Sequence, residues 1–297
     1  MIELRTLGVL DLRGPDSTDC RAVLAQPKRL GLLAYLAAAT PRRFHRRDSL
    51  LAMFWPDLDQ DRARAALRRS LYFVRSALGA DVILGRGEEE VGIGEGALWC
   101  DAAAFAAALD AGDEAAAMAL YQGPLLDGFY VAGATEFERW LDRERAILRD
   151  RAAAAAWVLA DRAAAAGDAG EAARLARRAA DLVPDDEGAV RRLVALLDQA
   201  GDRAGALRAY EDFSRRLAAD LELEPSAETR AAVDAIRSRP ERAATIRAIA
   251  PGQPLSPTTV AILPFTIRAD AELAYLAEGM VDLLATELDG AGDLRTV

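Results

Sequence analysis

A single histidine, a single lysine and two cysteines are found among 297 residues, and each scarcity removes a class of chemistry. With His45 as the single histidine and Lys28 as the single lysine, most Ser-His-Asp, Cys-His and multi-histidine metal arrangements are removed. Cys20 and Cys100 are too far apart in the chain to indicate a disulfide framework or a cysteine metal knuckle. Lys28 follows no glycine-rich loop, so no Walker A phosphate cradle is present. Carboxylates are plentiful but scattered over helical faces rather than paired. No catalytic residue, metal site or cofactor is therefore expected. Long apolar runs are missing too: the uncharged stretches are short and alanine-rich, well below the roughly 18 to 20 residues of a membrane span. The start, MIELRTLGVLDLRG, lacks the build of a signal peptide, so the segment is expected to be cytoplasmic with no membrane contact.

What is abundant is charge, unevenly placed. The net charge of −10 argues against nucleic acid when taken whole. Residues 1–99, however, carry 15 Lys/Arg against 13 Asp/Glu, whereas residues 100–297 carry 22 against 34. Between 42 and 75 there are nine arginines and four aspartates. Screening beyond about 8 Å lets such a local basic surface, not the total, govern attraction to phosphate.

Residues 54–79, FWPDLDQDRARAALRRSLYFVRSALG, concentrate that charge on one predicted helix. At 100° per residue, Ala63, Leu67, Leu71, Val74 and Leu78 form an apolar stripe. Arg62, Ala65, Arg69, Tyr72 and Ser76 cluster opposite, flanked by Arg64, Arg68 and Arg75. Taken alone, the helix is equally a solvated amphipath whose arginines pair with Asp57, Asp59 and Asp61.

Its neighbours decide the expectation. IELRTLGVLDLRG alternates as short strands through Ile2, Leu4, Val9 and Leu12. PKRLGLLAYLAAAT predicts a helix begun by Pro27, and RRDSLLAMFWP a second ended by Pro56, with Leu50, Leu51, Phe54 and Trp55 buried. The arginine-rich helix is third, with Asp59 or Asp61 near its positive end. VILGRGEEEVGIG then forms a hairpin around Arg86. Sheet, three helices and hairpin predict a winged helix-turn-helix over residues 1–99.

From residue 100 to 238 the chain is expected to be all helical and repeated. Gly167-Asp168 recurs at Gly201-Asp202, with Ala163 matching Leu197 and Ala172 matching Ala206, at the 34-residue tetratricopeptide period. Gly112-Asp113 hints at a further partial unit. Residues 239–257, with Pro240, Pro251, Pro254 and Pro257, are predicted to be a linker. TTVAILPFTI and ELAYLAEGMVDLLATEL then begin an incomplete α/β segment over 258–297, as if the chain stops inside a third domain. The expected class is mainly α. Trp55, Trp99, Trp140 and Trp157 are assigned to core packing.

The segments WPDLDQDRARAALRRSLYFVRSALG, WCDAAAFAAAL, LYQGPLLDGFY, FERWLDRERAILRDRA and PDDEGAVRRLVALLDQAGDRAGALRAYEDFSRRLAADLELEPSAETR, taken in order, resemble the SARP-type transcriptional regulators with a bacterial transcriptional activator domain. The likeness covers roughly residues 1–237, and VAILPF with YLAEGMVDLLATEL resembles the start of a TolB-like domain. It implies a DNA-binding regulator that is an activator: a winged helix on double-stranded promoter DNA with repeated sites, met by a homodimer, and helical repeats that engage RNA polymerase or another protein. On that pattern Arg62, Arg69, Tyr72 and Ser76 face the major groove, while Arg64, Arg68 and Arg75 hold phosphates. Arg86 enters the minor groove or touches backbone. Arg42, Arg43, Arg46 and Arg47 anchor the neighbouring strand. Tyr72 equally suits packing against the wing. A repeat scaffold that binds only protein, or the regulatory part of a larger signalling protein or enzyme, are the competing functions.

Overall fold

The alternation in IELR is realised as β1 (Ile2–Arg5), whose Ile2 and Leu4 are buried. In the computed structural model, residues 1–14, 20–39, 44–239, 259–260 and 295–296 are described. β1 pairs antiparallel with β2 (Asp11–Arg13). Val9, expected in the strand pattern, instead lies in the connecting turn and is 63% exposed. The reason is Gly8, whose φ of +81° turns the chain out of extended geometry.

Helices α1 (Arg21–Leu24), α2 (Pro27–Ala38), α3 (Arg47–Phe54) and α4 (Gln60–Leu78) follow, with the two-residue strand β3 (His45–Arg46) ahead of α3. Pro27 opens α2, where its missing N–H costs nothing. Asp59 caps α4 by accepting a hydrogen bond from the Arg62 amide at 2.9 Å. Ala63, Leu67, Leu71 and Val74 are buried against α2 and α3, while Leu78 is only partly covered. A 3-10 turn leads into β4 (Ile83–Arg86), which turns at Gly87 (φ +61°) into β5 (Glu90–Ile93). β3 adds antiparallel to β5, giving the order β3-β5-β4. The chain then returns as β6 (Leu98–Cys100), parallel to β1.

Helices α5 (Asp101–Asp110), α6 (Glu114–Leu120), α7 (Thr135–Ala165), α8 (Ala169–Leu182), α9 (Glu187–Gln199), α10 (Arg203–Leu221) and α11 (Ala227–Ser238) make the rest of a mainly helical unit. Each Gly-Asp pair forms the same corner between helices. Gly112, Gly167 and Gly201 take φ of +75°, +82° and +84°. The following Asp amides donate to Ala108, Ala163 and Leu197 carbonyls, closing each preceding helix. The Asp side chains then cap the next helix at the amides of Ala116, Glu171 and Gly205. Ala156, Ala160, Ala176 and Ala179 are fully buried where α7 runs along α8, because small side chains let the helices approach closely.

Met1–Arg239 form one compact unit. The junction inside it is a loop, residues 121–134, laced to both sides. The Leu126 amide donates to the Thr6 carbonyl at 2.7 Å, and the Gly8 amide to Pro124 at 3.0 Å. Arg145 of α7 donates to the Leu125 and Leu126 carbonyls at 2.8 and 2.6 Å. A Cβ on Gly8 would sit 2.7 Å from the Gln122 carbonyl carbon, in a backbone conformation that side chains rarely adopt. Gly8→Ala is therefore expected to lower stability by about 2 kcal/mol, seen as a lower urea midpoint. A wild-type midpoint would contradict this close approach.

Residues 240–297 form a second unit. Its described elements are β7 (Thr259–Val260) and β8 (Arg295–Thr296), which pair in parallel. The TolB-like strand and helix expected in this stretch, and most of the expected linker, lie outside the described residues. Among the described residues no helix is long and apolar enough to cross a membrane, and no cluster of His, Cys, Asp or Glu is arranged to hold a metal.

Candidate nucleic-acid interface

Helix α4 separates its two sides as its 3.6-residue period requires. Arg62, Arg64, Arg68, Arg69, Tyr72 and Ser76 are all exposed, Tyr72 to 74%. Around the helix axis at 100° per residue, Arg64 and Arg68 flank one edge, Arg69 and Arg62 the other, with Tyr72 and Ser76 between. Ser70, just inside the edge, is buried and donates to the Ala66 carbonyl at 2.9 Å.

The acidic residues before α4 neutralise little of this surface. Asp59 pairs with Arg62 at 3.2 Å. Arg64, Arg68 and Arg69 make no ion pair or hydrogen bond among the described residues. The helical region differs. Among the described residues from 135 to 239, every arginine except Arg143 and Arg208 has an ion-pair or hydrogen-bond partner. Several bridge helices: Arg151 to Asp110 at 2.6 Å, Arg162 to Glu114 at 2.7 Å, Arg192 to Asp161 at 2.6 Å.

On the hairpin side, α4 borders a cleft of about 780 Å³ lined by Arg46, Arg47, Arg64, Arg68 and Arg75, with Glu88 and Glu89 at its rim. Arg46 lies 3.6 Å from Glu89, and the Arg47 amide donates to the Glu89 carbonyl at 2.7 Å. The Arg47 guanidinium is held below the ordinary arginine value, chiefly by partial burial, then by the nearby charges of Arg75 and Arg68. Its buried Nε has no hydrogen-bond partner among the described residues. Crowded, incompletely satisfied guanidiniums of this kind favour an oxyanion, which would relieve the repulsion and accept the spare donors.

Two expected contacts are already engaged. Arg75 is half buried and donates from Nε to the Ile83 carbonyl at 2.8 Å, tying α4 to β4. Arg86 donates to Glu90 at 2.6 Å and stacks 5.0 Å from the centroid of Phe44. Arg42 and Arg43 lie outside the described residues. The opposite flank of α4 holds a second concavity of about 460 Å³, lined among others by Gln26, Lys28, Arg29, Arg69 and Tyr130. Arg29 stacks over Phe73 at 3.8 Å, and Lys28 donates to the Phe54 carbonyl at 2.9 Å. Sequence patterning missed this group because Tyr130 belongs to the distant junction loop.

These helices carry a family signature. The profile described as bacterial transcriptional activator domain matches residues 84–237, from within β4 to within α11. The chain belongs to this family. As a bacterial transcriptional activator domain protein it is a member of a family of transcriptional regulators. Its fold is similar to that of Mycobacterium tuberculosis EmbR, solved in complex with a low-affinity phosphopeptide. The TM-score is 0.54 at 21% identity, over 97% of this chain and 71% of that one. No curated protein matches the chain.

Proposed function

We propose that this member of the activator-domain family is a DNA-binding transcriptional activator acting in the cytoplasm. Helices α2, α3 and α4 with the β4–β5 hairpin act as a winged helix-turn-helix, α4 entering the major groove. The observation that carries this is the exposed set Arg64, Arg68 and Arg69, without ion-pair or hydrogen-bond partners among the described residues, where other guanidiniums are mostly engaged. Arg64 and Arg68, four residues apart on one edge of α4, repel each other, and a polyanion would supply counter-charge to them and to Arg69 on the other edge.

Within this scheme Arg62, Arg69, Tyr72 and Ser76 meet base edges, and Arg46, Arg47, Arg64 and Arg68 hold one strand's phosphates. Arg43 is carried with them as a phosphate contact on the family resemblance alone. Arg75 and Arg86 serve first as struts of the hairpin, and Arg86 reaches backbone only by exchanging Glu90 for phosphate. The corners at Gly112, Gly167 and Gly201 support a tetratricopeptide-like stack, which engages RNA polymerase or a second copy of the chain on adjacent sites.

Selection of binding sites from random duplexes tests the proposal and reports half-site spacing. With some six phosphates neutralised, log K is expected to fall with log salt at a slope of about −5. Arg68→Ala should reduce that slope by about one, whereas Arg69→Ala should relax base preference at one position. Selection that enriches no sequence would favour a scaffold that binds only protein.

A further inference from the structure

The junction loop presents an aromatic side chain beside α4 that no part of the proposed winged helix accounts for. Tyr130 is 66% exposed, yet its backbone is held on both sides. Arg145 donates to the carbonyls of Leu126 and Phe129 at 2.6 and 3.5 Å, and the Val131 amide donates to Glu138 at 2.7 Å. The side chain is thus displayed on a rigid mount. It shares the 460 Å³ concavity with Arg69, Arg29 and Lys28, on the flank of α4 away from the hairpin.

A helix with side chains is about 10 to 12 Å across, close to the width of the major groove of about 12 Å. An α4 lying in that groove therefore brings both of its flanks to the two sugar-phosphate rims. The hairpin flank meets one rim with the cleft around Arg47. The other rim faces the concavity that holds Tyr130.

Resting on the DNA-binding proposal above, we infer that Tyr130 is a DNA contact contributed from within the activator-domain segment, its phenol donating to a backbone phosphate of the strand on the α2 flank. The contact is neutral, carried on a backbone held at the neighbouring Phe129 and Val131, and independent of base identity.

The test uses the full chain and a duplex obtained by selection, titrated across salt concentrations. Tyr130→Ala should weaken binding about fivefold, the worth of one hydrogen bond with its surrounding contact, while leaving the salt slope unchanged because no charge is lost. Tyr130→Phe should lose most of the same factor. Arg64→Ala provides the contrast, with a slope reduced by about one. Because Tyr130 is exposed, the thermal midpoint should not move. Wild-type affinity for Tyr130→Ala would overturn the inference while leaving the DNA-binding proposal intact. Unchanged DNA affinity with lost transcription from the bound promoter would also overturn it, by assigning the residue to a protein partner. A wild-type chain that binds no duplex overturns both.

Discussion

Asp101→Ala is expected to cost about 4 kcal/mol of stability and to lower the melting temperature by about 10 °C. Asp101, the first residue of α5 and directly after β6, is 5% exposed. Its carboxylate accepts from the Thr6 amide at 2.8 Å, the Thr6 hydroxyl at 2.7 Å, the Leu7 amide at 2.9 Å and the Ala102 amide at 2.8 Å. Removing it strands several buried donors at once, each of which loses water on folding without regaining a partner. The damage reaches the junction loop as well, since Thr6 also accepts from Leu126 at 2.7 Å through its carbonyl. Thr6→Val, which deletes only the hydroxyl, should cost about 1 kcal/mol. Chemical denaturation of both variants decides the matter. A loss near 1 kcal/mol for Asp101→Ala would mean that its removal does not strand the Thr6 and Leu7 donors.

The second large effect concerns binding rather than folding. The combined substitution Arg64→Ala, Arg68→Ala and Arg69→Ala should weaken duplex binding by about two orders of magnitude near physiological salt, and flatten the salt slope by two to three. The fold should survive. Alanine has the highest helix propensity, the three side chains have no partners among the described residues, and their mutual repulsion disappears. Circular dichroism and the thermal midpoint should match wild type, so lost binding reports the surface alone. A triple variant with the original affinity and slope would remove α4 as the proposed interface.

Local chemistry made much of this fold legible. Pro27 and Asp59 start helices where the chain pattern places them, and each Gly-Asp corner combines a glycine-specific backbone with an aspartate cap. Those signals act within a few residues. The return of β6 beside β1 does not, because a three-residue strand pairs with a partner nearly a hundred positions earlier. The exposed face of α4 was likewise legible from periodicity, but its electrostatic state was not. Whether Asp57, Asp59 and Asp61 would quench the arginines depends on side-chain directions, and among the described residues only Asp59 reaches one. The engagement of Arg75 and Arg86 depends on the position of β4 and β5, which the hairpin motif leaves open. Tyr130 was hidden for the same reason, since tertiary packing alone brings it to α4.

The laced junction has a consequence for promoter layout. Under the DNA-binding proposal, and with the N-terminal helices and the helical region turning as one body, their bearing around the duplex axis would be dictated by where the site falls on the double helix. Shifting that site by about five base pairs, half a turn, would point the repeats to the opposite face of the DNA, and about ten would restore them. Rotational phase, more than distance, then governs which partner the repeats can reach.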